Sequence, residues 1–353
     1  MNAYTHLLRP LLFRVPADHA HALAHTALSW SRPWEVLGRS LAAPNSRLAA
    51  DFCGLRLRTP IGLAAGFDKD CENVPALSSL GFGCLTLGSL MSEPRPGNPL
   101  PRLSRLPRRL ALLNAQGLPS KGRAFALARL RALPARPVPL VANVCGFGVD
   151  ELAAATSDVQ PYVDAVEIGL ICPHTGDKGR LGTLQTFAAL VEALVAVRRV
   201  PVLIKLPPHH TPKEYDLVRE MVQLCVAGGI DGLTVGGGYP IPTRRLATGR
   251  GSVSGRPIFP ITVRLVEEVA AWSEGRLPIK AGGGAFRGAD VLRLLRAGAS
   301  VVEIYTAFIY RGPTVMAALN RELLAAMDRE GVATLATVRP AAPTAAAAPM
   351  GDG

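Results

Sequence analysis

Eight short apolar runs recur between about residues 60 and 305, and the stretches separating several of them carry helical periodicity. The runs are Ile61 to Ala64, Leu85 to Leu87, Leu140 to Asn143, Ala165 to Ile168, Val202 to Leu206, Gly232 to Val235, Ile279 to Ala281 and Val301 to Ile304. Helices are expected at Ser120 to Leu133, Leu184 to Arg198, Pro212 to Ala227, Pro260 to Ser273 and Ala289 to Ala297. Short apolar strands alternating with helices build parallel sheets covered by helices, and eight of them close into an α/β fold, the (β/α)8 TIM barrel. Such a barrel runs to roughly 250 residues or more as one unit, so the chain of 353 residues reads as one large domain with attachments.

The attachments lie at both ends. Between Tyr4 and Trp34, Leu7, Leu8, Leu11 and Leu12, then Leu23, Ala24, Ala27 and Leu28, recur at helical spacing, and Pro16 stands where a second helix would begin. Residues 1–45 are therefore expected to form a helical hairpin, either packed on the body of the protein or lying as a basic amphipathic pair on a membrane. Residues 46–330 are assigned to the barrel, and the Ala/Pro-rich 331–353 to a disordered tail without a site. The segments from Ser89 to Pro119 and from Gly236 to Pro257 are too long for plain connections. Long loops after barrel strands usually build the active site.

Composition narrows the function. With 48% hydrophobic and 19% charged residues, a large core is available and global disorder is excluded. The net charge of +12 is compatible with nucleic acid, an anionic membrane or an anionic ligand. Arginines are scattered (Arg102, Arg105, Arg108, Arg109, Arg198, Arg199, Arg244, Arg245) with few aromatic residues between them, which argues against a nucleic-acid stacking surface. Cys53, Cys71, Cys84, Cys145, Cys172 and Cys225 form no C-x-x-C pair, so neither a disulfide framework nor a metal site is expected and a reducing cytoplasm fits. No signal peptide and no run of ~20 apolar residues stands out. The expected location is the cytoplasm, with a peripheral seat on the inner face of the cell membrane as the alternative.

Polar residues and glycines collect at the carboxyl ends of the runs, the functional face of such barrels. Run by run these are Ala64-Ala65-Gly66-Phe67-Asp68-Lys69, Gly88-Ser89, Asn143, Cys172-Pro173-His174-Thr175, Lys205, Gly236-Gly237-Gly238, Gly282-Gly283-Gly284 and Tyr305-Thr306. Loops after the seventh and eighth strands commonly cradle a phosphate, so a phosphorylated ligand is expected, although a glycine triplet by itself also suits a tight turn. Lys205 within a strand is costly to bury unless it meets an anion or an electron-rich ring; snorkelling at the rim is its other explanation.

The segments Leu63 to Asp70, Gly81-Phe82-Gly83, Arg95-Pro96-Gly97-Asn98-Pro99 with Pro101-Arg102, Ser254-Gly255-Arg256-Pro257, and Ile304-Tyr305-Thr306 with Gly312-Pro313 together resemble the quinone-linked, class 2 dihydroorotate dehydrogenases. The likeness runs from about residue 5 to residue 325. It implies FMN as cofactor, held by Ala64, Ala65, Gly66, Lys69, Ser89, Asn143, Lys205, Ser254, Gly255, Gly282, Gly283, Tyr305 and Thr306. It also implies a quinone as electron acceptor, entering through the amino-terminal helices. Lys205 would then stabilise the reduced flavin.

The substrate side departs from that pattern. Where the family has Asn-x-x-Ser-Pro-Asn-Thr, this chain has Gly169-Leu170-Ile171-Cys172-Pro173-His174-Thr175, and an Asn-Thr pair after the sixth strand is replaced by Gly237-Gly238. Asn114 remains, within Leu113-Asn114-Ala115-Gln116-Gly117-Leu118, although the family has a bulkier aromatic residue at 118. Substrate contacts are accordingly expected from Lys69, Asn114, Gln116, Gly117, Leu118, His174 and Gly237. Cys172 is the candidate base against the alternative of a buried apolar thiol, and His174 a partner to it or a plain loop histidine. Each lost amide removes hydrogen bonds worth about 0.5 to 1.5 kcal/mol, and glycines at 169 and 237 suggest room for something larger and less polar. The expectation is an FMN oxidoreductase acting on a C–C bond next to a carbonyl, on a substrate other than dihydroorotate. An ordinary dihydroorotate:quinone oxidoreductase and a catalytically idle flavin-binding barrel are the alternatives.

Overall fold

The computed structural model describes residues 4–41, 44–170 and 183–338. Its strands are β1 (Ala50–Phe52), β2 (Leu55–Leu57), β3 (Ile61–Leu63), β4 (Leu85–Leu90), β5 (Leu103–Leu106), β6 (Ala111–Asn114), β7 (Leu140–Cys145), β8 (Ala165–Gly169), β9 (Val202–Lys205), β10 (Gly232–Gly236), β11 (Tyr239–Pro242), β12 (Arg250–Gly255), β13 (Ile279–Gly282) and β14 (Ala299–Ile304). The eight apolar runs became β3, β4, β7, β8, β9, β10, β13 and β14. They pair in parallel in that order and β14 closes on β3, which makes a (β/α)8 barrel.

The hairpin β1–β2 closes the amino-terminal end. Phe52 and Leu57 pack there against Cys84, Val141, Ala165, Leu203 and Val301. Side chains two residues further along a strand point the same way, so the next layer inside the barrel is Thr86, Asn143, Glu167, Lys205 and Glu303. A polar storey thus sits on an apolar floor.

Expected helices are found at Arg123–Arg131, Leu184–Val197, Pro212–Gly228, Phe259–Trp272 and Gly288–Arg296. Helix Pro212–Gly228 begins with a capping box, in which Thr211 and Glu214 satisfy each other's backbone amides, and ends at Gly229 with φ 78°. Helices Val74–Ser79, Val149–Val159, Thr306–Arg311 and Val315–Arg329 were not anticipated.

Three expectations change. The long segments after β4 and β10 are not mere loops: they hold β5, β6, β11 and β12, which form an antiparallel sheet in the order β11-β12-β6-β5. That sheet covers the barrel mouth; β12 mixes exposed and buried residues and β11 carries Pro240 and Pro242, which hides the strand signal. The amino-terminal hairpin is a longer helical set, a π-helical turn Tyr4–Leu8 running into Arg9–Leu12, then Ala17–Leu28 and Ser31–Leu41. Residues 331–338 are docked and not tail-like: Leu335 is buried, and Arg47 donates to the carbonyls of Val332 and Ala333. Residues 339–353 lie outside the described residues.

Candidate active site

At the carboxyl ends of the barrel strands, under the antiparallel sheet, lies a cavity of about 280 Å³. Its wall includes Ala64, Ala65, Gly66, Lys69, Ser89, Lys205, Ser254, Gly255, Gly282, Gly283, Tyr305 and Thr306 from the cofactor expectation, with Asn114, Gln116, Leu118 and Gly237 from the substrate expectation. Residues scattered over some 240 positions are brought to one space because every parallel strand ends on the same rim.

The glycine-rich side is a cradle that side chains would fill. A Cβ on Gly283 would stand 2.4 Å from Thr262 Oγ1, one on Gly284 2.6 Å from the Phe259 amide, and one on Gly255 2.3 Å from the Leu110 carbonyl. Ser254 Oγ and Thr306 Oγ1 stand 3.0 Å apart beside it. Backbone amides and hydroxyls at one end, with the Lys205 ammonium at the other, fit a phosphorylated, electron-accepting ring system.

Lys69 joins this cavity to its neighbour. Its Nζ is 3.5 Å from Nε2 of His21, on helix Ala17–Leu28. Burial, and then the charge of Arg102, pull the Lys69 pKa down to about 8. Burial and the Lys69 charge keep His21 well below the usual histidine range, and the same causes bring His25 to about 4. The two imidazoles are therefore neutral at neutral pH and pack edge-on, 4.5 Å between centroids. His25 also stacks on Phe67.

Two expected site residues are not on the cavity wall, and the two glycines expected to leave room differ from each other. Asn143 is absent from the cavity wall: it is buried, and its amide donates to Glu167 Oε1 at 2.6 Å. Gly117 is also absent, and its φ of 72° and the Asn98 side chain, 2.5 Å from a built Cβ, give it a turn-forming reason. Gly169 offers no room, because a Cβ there would meet Cys145 Sγ at 2.4 Å. At Gly237 a Cβ would meet nothing within 4 Å, although φ is 141°. Cys172 and His174 lie outside the described residues.

Several cavity residues escaped the sequence reading. Leu103, Leu112 and Phe286 line the wall, and Thr234 and Glu303 reach it from inside the barrel. Below the rim Lys280 is fully buried between Glu167 Oε2, at 2.7 Å, and Glu303 Oε1, at 3.0 Å. Lys205 Nζ stands 3.9 Å from Glu167. A signal was present: Glu167, Lys280 and Glu303 are charges set within runs assigned to fully buried strands, where an unpaired charge is prohibitive.

A second cavity, of about 430 Å³, lies between the amino-terminal helices and the barrel. Its lining is mainly apolar, including Leu8, Leu12, Phe13, Ala24, Ala27 and Phe308, with His21 and Arg105 among the polar groups. Leu103, Leu112 and Tyr305 border both cavities. Tyr305 is the partition, its hydroxyl 3.5 Å from the Gly66 carbonyl.

With this geometry in view, the sequence profile of the Dihydroorotate dehydrogenase family matches residues 47–327. A protein named dihydroorotate dehydrogenase (quinone) from Deinococcus deserti is 34% identical over 354 residues, covering 93% of this chain and 97% of that one. One of the same name from Myxococcus xanthus is 35% identical over 350 residues, covering 92% and 94%. The crystal structure of ligand-free DHODH from Eimeria tenella superposes with a TM-score of 0.78 at 26% identity, over 90% of this chain and 98% of that one. The same enzyme in complex with ferulenol gives 0.76.

Proposed function

Because the chain belongs to the dihydroorotate dehydrogenase family, FMN-dependent oxidoreductases acting on CH–CH groups, we propose that it moves electrons between a carbonyl-adjacent C–C bond and a quinone, on a substrate other than dihydroorotate. The observation that carries the reading is the pair of cavities meeting at Tyr305, one glycine-cradled and bearing Lys69, Lys205, Asn114 and Gln116, the other mainly apolar and lined by the amino-terminal helices.

FMN, when bound, would supply a two-electron acceptor for the substrate and a donor for the quinone. The chain's residues do the rest. Gly283, Gly284, Ser254 and Thr306 would hold its phosphate, and Lys205 would supply a positive charge that favours the reduced form. Cys172 stands at the position of the family's base and takes a proton from substrate carbon. Lys69, Asn114 and Gln116 orient the substrate, while Leu103 and Leu112 keep water from the partition. The apolar lining of the second cavity, with His21 and Arg105 as its polar ends, suits a quinone.

Support for a changed substrate comes from the sequence departures and from packing. The amide that the family pattern would set at 169 has lost its space to Cys145, and the one at 237 has become open volume. The names of the sequence relatives favour the second reading, dihydroorotate itself, and Asn114 is retained for it.

One experiment separates the two readings. The purified protein should be yellow and release FMN on denaturation, and anaerobic mixing with dihydroorotate should bleach the flavin slowly or not at all. Fast bleaching would establish dihydroorotate as substrate. With the true substrate, Cys172→Ala should slow flavin reduction about 10²-fold. An unimpaired variant would remove Cys172 from the mechanism, and a colourless protein that takes up no FMN would defeat the whole reading.

A further inference from the structure

The polar storey inside the barrel has a use beyond filling space. Glu303 is nearly enclosed, and both of its polar contacts fall on one oxygen: Oε1 accepts from Thr86 Oγ1 and meets Lys280 Nζ at 3.0 Å. Lys280 Nζ also donates to Thr86 Oγ1 at 2.8 Å and pairs with Glu167 Oε2 at 2.7 Å. Glu167 is further held by Asn143 at 2.6 Å and by Thr234 at 2.5 Å. The second oxygen of Glu303, Oε2, stands 3.8 Å from a Cβ built on Gly282, at the cavity wall, and Glu303 itself lines the cavity. One carboxyl oxygen is thus pinned inside the barrel while the other lies beside Gly282 of the cavity wall.

We propose that Glu303 is an acid–base group facing the cofactor: Oε2 takes up a proton when the flavin is reduced and gives it back when the flavin is reoxidised. The inference rests on FMN occupying this cavity. In the reductive half the substrate hydride brings two electrons and one proton to the flavin, leaving one added negative charge. One further proton comes from solvent and forms an O–H bond at Glu303 Oε2, so charge is neutralised at the barrel floor. In the oxidative half the acceptor takes the two electrons, and two protons leave with them, the one the hydride brought to the flavin and the one on Glu303 Oε2, which together complete the reduction of a quinone to its quinol.

The surroundings support a carboxyl that is ready to change state. Burial, and secondarily the Glu167 charge, raise the affinity of Glu303 for a proton, while Lys280 and Lys205 oppose this. Glu167 is held well below the usual carboxylate range, at about 2, by Lys280 and Lys205 against its burial. Lys280 is raised by its two carboxylates. Cys84 is pushed up to about 12, by burial and then by Glu303, and burial keeps Tyr305 protonated. Of the two carboxyls, Glu167 is held ionised and Glu303 is the one whose affinity for a proton is raised. Two carboxylates sharing one ammonium in an enclosed space make that ordering expected.

The test is proton uptake measured with the holoenzyme. The flavin midpoint potential is followed against pH for the native protein and for Glu303→Gln, which keeps the shape and the Thr86 contact. The native protein should bind about one proton more per flavin reduced than the variant over the pH range where Glu303 changes state. Its reduced-minus-oxidised infrared spectrum should show a carboxylic acid C=O band that moves in D2O and is missing in the variant. An equal pH slope in the two proteins overturns the proposal. If Glu303→Gln does not fold, Glu303→Asp replaces it. A shifted band then supports the assignment, and an unchanged or absent band overturns it. Failure of the native protein to bind FMN is a separate outcome that defeats the functional reading itself.

Discussion

Lys69 shows how much a single residue's behaviour depends on its neighbours. In sequence it is one cation after Phe67-Asp68. In the fold it is enclosed beside Arg102 and His21, with its pKa at about 8. Its ammonium form therefore dominates below pH 8 and is lost above it. If the substrate carries a carboxylate or a comparable anion, kcat/KM should bend downward as pH rises through about 8, and that limb should vanish in Lys69→Met. A profile with the same limb in the variant would assign the ionisation elsewhere. Gly169 teaches the opposite lesson: the sequence suggested spare volume, and the structure fills it with Cys145 Sγ. A glycine reports the absence of its own side chain and says nothing about whose side chain has moved in.

Among the elements, the amino-terminal helices are tied to the barrel by specific contacts. Tyr4 donates to the Ile309 carbonyl at 2.6 Å, Arg9 to the Tyr310 carbonyl at 2.9 Å, and Arg105 to the Val15 carbonyl at 2.7 Å. Yet Leu7, Leu8, Leu11, Leu23, Trp30 and Val36 are exposed on them, six of the eleven large apolar side chains exposed among the described residues. Such a concentration on one element marks an interaction surface. No helix among the described residues is long and apolar enough to cross a membrane; the partner we propose for these side chains is a lipid surface. Leu11→Ser together with Trp30→Ser should weaken liposome binding several-fold while leaving bound flavin unchanged, and equal binding would take this role from the helices. Ala24→Trp should fill the second cavity. Steady-state quinone turnover should fall at least tenfold while stopped-flow reduction of the flavin by substrate keeps its rate. Parallel losses in both would show that the second cavity is not a separate acceptor route.

For the molecule as a whole, stability and function meet in the barrel interior. Lys280 pairs directly with both Glu167 and Glu303, and removing one partner of a buried ion pair costs about 3 to 5 kcal/mol. Lys280→Met should lower the urea midpoint accordingly, and a change under 1 kcal/mol would mean that the carboxylates rearrange or protonate at little expense. The barrel class was legible because eight apolar runs at regular spacing admit few other closures, and the cofactor rim because strand ends are local features of each run. The covering sheet was not legible. β5–β6 and β11–β12 are short local hairpins, but the sheet forms only when β6 pairs with β12 across more than 130 residues, from Asn114 to Ser252, and no local pattern encodes such a partner. The two cavities were likewise invisible as volumes, since they exist between elements. By itself the sequence determined which residues stand at the strand ends and which carry charge. Only the tertiary structure decided that Glu167, Lys280 and Glu303, each isolated in its own strand, face one another. Alternation directs a side chain inward, but closure of the barrel chooses what it meets.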